Sequence, residues 1–235
     1  MEIHTLSYRL RSRDVDMYRR LRLSQLFELM QEAATDHSEL LGVGIGEIRK
    51  QNLMWVLARQ SVEIARLPRY GEEIVLETWP GRTVHSLYPR YYRVLDGRGE
   101  PIINSSAIWM LADMDARALV PSSRSGIEFG FEKRGSELAL PSPPRRFFTD
   151  RSCSFTVPFS YVDMNGHMNN TRYLDLADNL CPALASGRDA KSVVVEYSAE
   201  LRLGQSYELF YGSEGDRFYL KAGAEKPLFR LVIDY

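Results

Sequence analysis

At 235 residues, 44% apolar and 11% aromatic, the chain holds enough hydrophobic material for one large globular domain or two of modest size. Thirty basic residues against thirty-one acidic ones leave a net charge of −1, which removes any general electrostatic pull toward nucleic acid or an anionic membrane. Cys153 and Cys181 sit in no CxxC or Cys/His spacing and no apolar run has signal-peptide or membrane-span length, so neither a disulfide framework nor a zinc site is expected, and the expected location is the cytoplasm.

Residues 6–13 alternate, with Leu6, Tyr8 and Leu10 on one face and Arg9, Arg11 and Arg13 with Ser7 on the other, which predicts a strand. Ser24 is the predicted N-cap of a helix over 25–41, where Leu26, Phe27, Leu29, Met30, Ala33, Ala34, Leu40 and Leu41 recur mostly at helical spacing and Gly42 follows as the C-terminal stop. Four strands are predicted at 54–67, 72–80, 86–95 and 101–113, the last two joined by the turn Asp96-Gly97-Arg98-Gly99. Prolines 121, 141, 143 and 144 then mark 121–146 as a surface linker with room for one short helix.

The second half repeats the first. Val15-Asp16-Met17 and Val162-Asp163-Met164 are the same triplet 147 positions apart (15 to 162), each after an alternating strand and before a helix, the second helix being expected over 171–184. Val62-Glu63-Ile64 through Gly71-Glu72-Glu73-Ile74 lines up with Val195-Glu196-Tyr197 through Gly204-Gln205-Ser206-Tyr207 at a separation of 133 (62 to 195). The difference falls between helix and strand, where GVGIGEIRKQNLMW is the extra segment of the first half. One helix followed by meandering antiparallel strands, twice over, suggests two sheets each wrapped around a central helix. That is the α+β pattern of a tandem double hotdog, its halves joined edge to edge as an internal pseudo-dimer. The expected limits are 1–120 for the N-terminal unit, 121–150 for the linker and 151–235 for the C-terminal unit.

The two loops before the helices differ in content. The first reads Asp16-Met17-Tyr18-Arg19-Arg20-Leu21-Arg22, and only the second, Asp163-Met164-Asn165-Gly166-His167-Met168-Asn169-Asn170, gathers an acid, an amide and an imidazole. At a helix start, unpaired backbone N–H groups and the helix dipole favour a developing oxyanion. There His167 can serve as acid or base, Asn165 can donate through its amide, and Asp163 can orient, accept a proton or attack. Asn169 and Asn170 read as capping and bracing groups. No partner at useful spacing gives His4, His37 or His85 a role, and the two cysteines read as small, partly buried residues.

DMNGHMNNTRY resembles the D-x-N-x-H-x-N-N-x-x-Y stretch of the acyl-[acyl carrier protein] thioesterase family, comprising plant fatty acyl thioesterases and bacterial relatives. LMWVLARQSVEIARLPRYGEEIVLETWPG is similar to that family's long first-module strand pair, and SSAIWMLADMDARALVP to the strand and turn that close the module. The resemblance spans nearly the whole chain. It implies that Asp163, Asn165 and His167 form the catalytic loop. In Glu196-Tyr197-Ser198-Ala199-Glu200-Leu201, set against the family's E-Y-x-x-E-C, it makes Glu200 the fourth catalytic residue. Leu201 replaces a cysteine once proposed as nucleophile, so an active enzyme here cannot depend on a thiol at that position. Glu196 is left structural, because Glu63 matches it in the half without the catalytic loop.

The implied activity is hydrolysis of fatty acyl-[acyl carrier protein] thioesters, ending fatty acid synthesis. Acyl carrier protein is the expected partner, and no metal or organic cofactor is implied. Arg145, Arg146 and Arg172, near the loop or its preceding strand, are the candidates for docking that acidic carrier. A monomer or homodimer is expected, with the first half's apolar helix serving the acyl chain. The rival readings are an acyl-CoA thioesterase, a hotdog hydratase or dehydratase, and a non-catalytic acyl-binding module.

Overall fold

The computed structural model describes residues 3–130, 135 and 137–235. The first alternating segment forms β1 (His4–Arg9), which ends early because the chain enters a 3-10 turn at Ser12–Asp14. The buried Asp14 carboxylate closes that turn by accepting the Arg11 N–H and the Tyr8 hydroxyl. Helix α1 (Leu23–Leu40) starts earlier than its capping signal implied: Arg22 is the N-cap, and Ser24 lies inside the helix, buried. Gly42, at φ +72°, donates to the Glu39 carbonyl while Val43 donates to Ser38, the paired bonds that close a helix C-terminus on a left-handed residue. Then follow α2 (Ile45–Arg49), β2 (Leu53–Ile64), β3 (Glu73–Pro80), β4 (Tyr88–Leu95), β5 (Pro101–Asp113), β6 (Leu119–Val120) and α3 (Ser122–Ser125).

The second half runs β7 (Arg151–Thr156), α4 (Arg172–Leu180), α5 (Pro182–Ala185), β8 (Ser192–Tyr197), β9 (Ser206–Glu214), β10 (Arg217–Ala222) and β11 (Phe229–Asp234). The single helix expected over 171–184 is two. Pro182 forces Cys181 into extended backbone (ψ 108°) and opens a new helical turn. The missing length of the second half therefore lies partly in the helix, since α4 has 9 residues against 18 in α1.

All the strands join one antiparallel sheet in the order β1-β3-β4-β5-β2-β8-β11-β10-β9-β7, with β6 pairing β5. Read from either end, the order is the same for the two halves: first strand, third, fourth, fifth, second. The halves meet edge to edge at β2 and β8, paired from Arg59↔Glu196 to Glu63↔Ser192, so the hydrogen bonding continues unbroken from one half into the other. Each half thus covers an edge that would otherwise expose unpaired backbone groups.

Helices α1 and α4 lie on one face of the sheet, with α1 packed on β3 and against α4. Leu26, Phe27, Met30 and Ala33 of α1 are buried in one core with Val62, Ile74 and Leu76 of the first half and with Leu174, Val195, Phe218 and Leu231 of the second. Burial of each large side chain contributes about 1.5–3 kcal/mol, so the halves share the hydrophobic term as well as the hydrogen bonds. On the other face lies the later part of the linker, residues 139–147. The carbonyl of Ala139 takes the Ser106 hydroxyl of β5 (2.8 Å), Pro141 takes Arg59 of β2 (3.0 Å), Pro144 takes Arg230 of β11 (3.4 Å), and Phe147 packs on Tyr219 of β10 at 5.4 Å. It crosses the middle of the sheet in strand order. Among the described residues no helix is long and apolar enough to cross a membrane.

Candidate active site

The two loops have one backbone. In the first, Asp16 N–H donates to Arg20 O (2.9 Å), the Asp16 carboxylate accepts Tyr18 N–H (2.9 Å), Arg19 stands at φ +65°, and Leu21 N–H reaches Pro68 O (2.9 Å). In the second, Asp163 N–H donates to His167 O (3.0 Å), its carboxylate accepts Asn165 N–H (2.8 Å), Gly166 stands at φ +79°, and Met168 N–H reaches Leu201 O (2.8 Å). Arg20 therefore occupies the place of His167, and Leu67 that of Glu200.

The chemistry diverges on that common frame. Arg20 is buried, bonded to Asp16 (2.8 Å), Asp189 (3.2 Å) and the carbonyls of Leu184 (3.0 Å) and Arg188, while Tyr18 bonds Ala185 O (2.8 Å). The first loop is a lock onto the other half. In the second, His167 Nε2 lies 2.8 Å from Glu200 Oε2, with the imidazole 16% and the carboxylate 34% exposed. Two residues of the first half reach in: Arg117 donates to Glu200 Oε1 (2.9 Å) and Arg49 to Asn165 Oδ1 (3.3 Å). Arg202 lies at 3.4 Å from Glu200 Oε2. A neutral imidazole that donates through Nε2 to a carboxylate keeps its lone pair on Nδ1, and an Asn whose carbonyl is occupied keeps its N–H donors free. Beneath the site, Tyr173 and Tyr197 pack edge to face at 5.1 Å, and burial pushes both hydroxyls above their ordinary range.

Family models match along this frame: the acyl-ACP thioesterase N-terminal domain over residues 2–123 and the C-terminal domain over residues 148–225. The chain belongs to the acyl-ACP thioesterase family. Among its relatives, a chloroplastic palmitoyl-acyl carrier protein thioesterase of Arabidopsis thaliana is 27% identical over 83% of this chain and 51% of its own length. A chloroplastic dodecanoyl-[acyl-carrier-protein] hydrolase of Umbellularia californica is 25% identical over 84% of this chain and 57% of its own. The chain thus spans about half the length of the curated relatives it matches. Similar in fold are an acyl-ACP thioesterase from Bacteroides thetaiotaomicron (TM-score 0.86, 22% identity, 99% of this chain and 97% of that one) and the 12:0-ACP thioesterase from Umbellularia californica (TM-score 0.81, 21% identity, 99% and 96%).

Several expectations for this acyl-ACP thioesterase family member change on the structure. At the start of α4, Thr171 N–H and hydroxyl both donate to Asn169 Oδ1 (2.9 Å each), Arg172 N–H to Asn169 O (3.0 Å) and Leu174 N–H to Thr171 O (3.1 Å), which occupies those helix-start donors. Arg172 is engaged by Glu28 of α1 (3.4 Å) and by Asp175 (3.3 Å). Arg145, with exposed Arg146 next to it, lies instead on a cleft of about 450 Å³ between the linker and the β10–β11 turn, lined by Pro143, Phe147, Lys221 and Arg230. Glu196 is held by Arg59 (3.5 Å) and Arg230 (3.4 Å).

Sequence reasoning missed Arg49, Arg117 and Arg202. Arg202 stands two residues after Glu200 and could have been suspected; no spacing signals the other two. It also left His37 without partners, whereas His37 stacks on His4 at 5.6 Å and bonds buried Arg90 (3.2 Å), with burial, then Arg90, lowering its pKa to about 4. Among the described residues no group of three His, Cys, Asp or Glu is placed to hold a metal.

Proposed function

We propose that this chain hydrolyses fatty acyl-[acyl carrier protein] thioesters to free fatty acid, as a tandem double hotdog with its N-terminal unit at 1–120, linker at 121–150 and catalytic unit at 151–235. The observation that carries the reading is the His167–Glu200 contact at 2.8 Å, made in the one copy of the repeat that retains the acid, amide and imidazole. The mirrored strand order and the two family models support the division into units.

In the reaction, the Asn165 amide polarises the thioester carbonyl, and Glu200 holds the imidazole so that Nδ1 takes a proton from water. The hydroxide adds to the carbonyl carbon, the tetrahedral oxyanion collapses, and the carbon–sulfur bond breaks. The departing pantetheine thiolate takes the proton from His167 and leaves as the thiol. Asp163 acts as an orienting group, its Oδ1 accepting the Asn165 N–H and setting the loop. The Leu201 side chain is buried in the core, so its position offers nothing to the substrate. Arg145 and Arg146 serve the acidic carrier, whereas Arg172 is spent within the chain.

The test is release of fatty acid from a panel of acyl-carrier-protein thioesters, with acyl-CoA controls and the His167→Ala variant. Faster turnover of the carrier-protein esters, lost in the variant, supports the proposal. Turnover of coenzyme A esters alone moves the enzyme to acyl-CoA hydrolysis. Tight acyl binding without hydrolysis makes the chain a binding module and overturns the proposal.

A further inference from the structure

The catalytic loop and Glu200 belong to the second half, yet the ligand of Glu200 Oε1 comes from the first. Resting on the hydrolase reading above, we propose that Arg117 is a positioning residue of the catalytic centre. It holds the Glu200 carboxylate by one oxygen and leaves the other to His167 and Arg202, which keeps the carboxylate aligned on the imidazole.

Three observations carry this. The first is the division of the carboxylate. Arg117 Nη1 lies 2.9 Å from Oε1 and His167 Nε2 lies 2.8 Å from Oε2, so the two partners share Glu200 without competing. An ionised carboxylate offers just such separate acceptor positions. The second is the backbone of Arg117, a non-glycine residue held at φ +51°. A left-handed residue of this kind costs roughly 1 kcal/mol or more and persists where its surroundings over-determine it.

Those surroundings are built for the purpose. Asp113 N–H donates to Ala118 O (2.9 Å) and Arg117 N–H to Asp113 O (2.9 Å), while Asp113 Oδ1 accepts the N–H groups of Asp115 (3.0 Å) and Ala116 (2.9 Å). Asn52 ties the turn from outside through Asp115 (2.9 Å) and Asp113 (3.3 Å), and Arg124 reaches Asp113 Oδ2 (3.4 Å). Backbone N–H donors in the first place hold the Asp113 carboxyl below its usual range. The turn is therefore rigid where its one long basic side chain leaves it.

The third observation is topological. β5 ends beside the start of β2 (Leu53↔Asp113), and β2 is the strand paired with β8. Continued past Arg59↔Glu196, that antiparallel register carries Glu200 toward the beginning of β2 and so toward the turn after β5. The pseudo-symmetric junction puts Arg117 there, 83 residues before its partner.

Among the described residues, three side chains face the Glu200 carboxylate directly. His167 comes from the loop, Arg117 from the turn after β5, and Arg202 from the segment after Glu200, at 3.4 Å. Tyr173 of α4 senses both Glu200 and Asp163, its hydroxyl kept protonated chiefly by burial. Removing Arg117 leaves the Glu200 carboxylate free to turn away from His167, with Arg202 as its remaining cation.

The experiment measures kcat and KM separately on an acyl-carrier-protein ester in the wild type, Arg117→Gln and Arg117→Lys, with circular dichroism melts to verify folding. The imidazole resonances of each protein are recorded by NMR at one pH, with His167→Gln identifying the His167 signal. In Arg117→Gln the His167 resonance is expected to leave its wild-type position and kcat to fall up to about tenfold while KM stays near wild type, and Arg117→Lys to return both toward wild type. A His167 resonance in Arg117→Gln that overlays wild type, or Gln and Lys variants that behave alike, overturns the proposal. A wild-type protein that hydrolyses no thioester sinks the hydrolase reading instead, and the resonance position still decides the role of Arg117.

Discussion

Replacing Arg20 by Met and His167 by Ala alters equivalent positions of the repeat and separates what each loop does. Arg20 is 4% exposed and clamps Asp16, which is 23% exposed, and Asp189, at 45%. Losing one partner of a fully buried pair costs about 3–5 kcal/mol, but here the two carboxylates rehydrate in part, and about 2–3 kcal/mol is the expected loss. Met preserves most of the volume, so the cost reports the lost bonds to Asp16, Asp189, Leu184 and Arg188 rather than a cavity. For a chain of this size each kcal/mol lowers Tm by about 2–4 °C, giving a fall of roughly 4–12 °C by calorimetry. His167 makes one side-chain contact with a half-exposed partner, so His167→Ala lowers stability by about 1 kcal/mol or less. In the acyl-carrier-protein assay it loses a factor of about 10² to 10⁴ in kcat, whereas Arg20→Met, assayed at 25 °C, stays within a few-fold of wild type. An Arg20→Met melt within about 2 °C of wild type, or near-normal turnover by His167→Ala, would refute the division of labour.

Other outcomes follow from single features. Gly166→Ala places a Cβ in open space but at φ +79°, so it should cost about 1 kcal/mol in a melt through backbone strain, with no steric penalty. Burial first, then the Asp175 carboxylate, raises Asp178 to about 7. A carboxyl raised in the folded state binds its proton more tightly there than in the unfolded chain, so its contribution to stability declines as pH rises from about 4 to about 7. Asp178→Asn should flatten that slope in Tm measured against pH and raise Tm at pH 8. Reversing Arg145 and Arg146 to Glu is expected to raise KM for acyl-carrier-protein esters, most at low ionic strength, and to leave kcat unchanged; a KM that does not move discards the docking assignment.

Much of the fold could be read from periodicity. The apolar spacing of Leu26, Phe27, Met30 and Ala33 marks α1, and the repeated Val-Asp-Met triplet marks the mirrored halves. Element ends are less legible, because Ser24 has the chemistry of a cap yet is needed in the core, and Pro182 opens a second helix within an otherwise helical stretch. At the site, Asp163, Asn165 and His167 stand close in sequence and could be grouped by chemistry, whereas Glu200 required a family likeness. Arg49 and Arg117 carry no local signal. They reach Asn165 and Glu200 across 116 and 83 residues through the β2–β8 junction, a pairing between the halves that no periodicity fixes. Arg172 illustrates the converse, since a basic residue beside the loop looks free until Glu28 is placed across from it by the packing of α1 on α4.

Because both loops sit in one chain, a substitution in one leaves the other unchanged, and the common frame carries a buried guanidinium on one side only. Building a second centre would require an amide at Tyr18, an imidazole at Arg20 and a carboxylate at Leu67 together, and the imidazole would have to displace the lock onto residues 184–189. Each step alone is destabilising and gains nothing catalytic, so single mutations lead away from a two-site molecule.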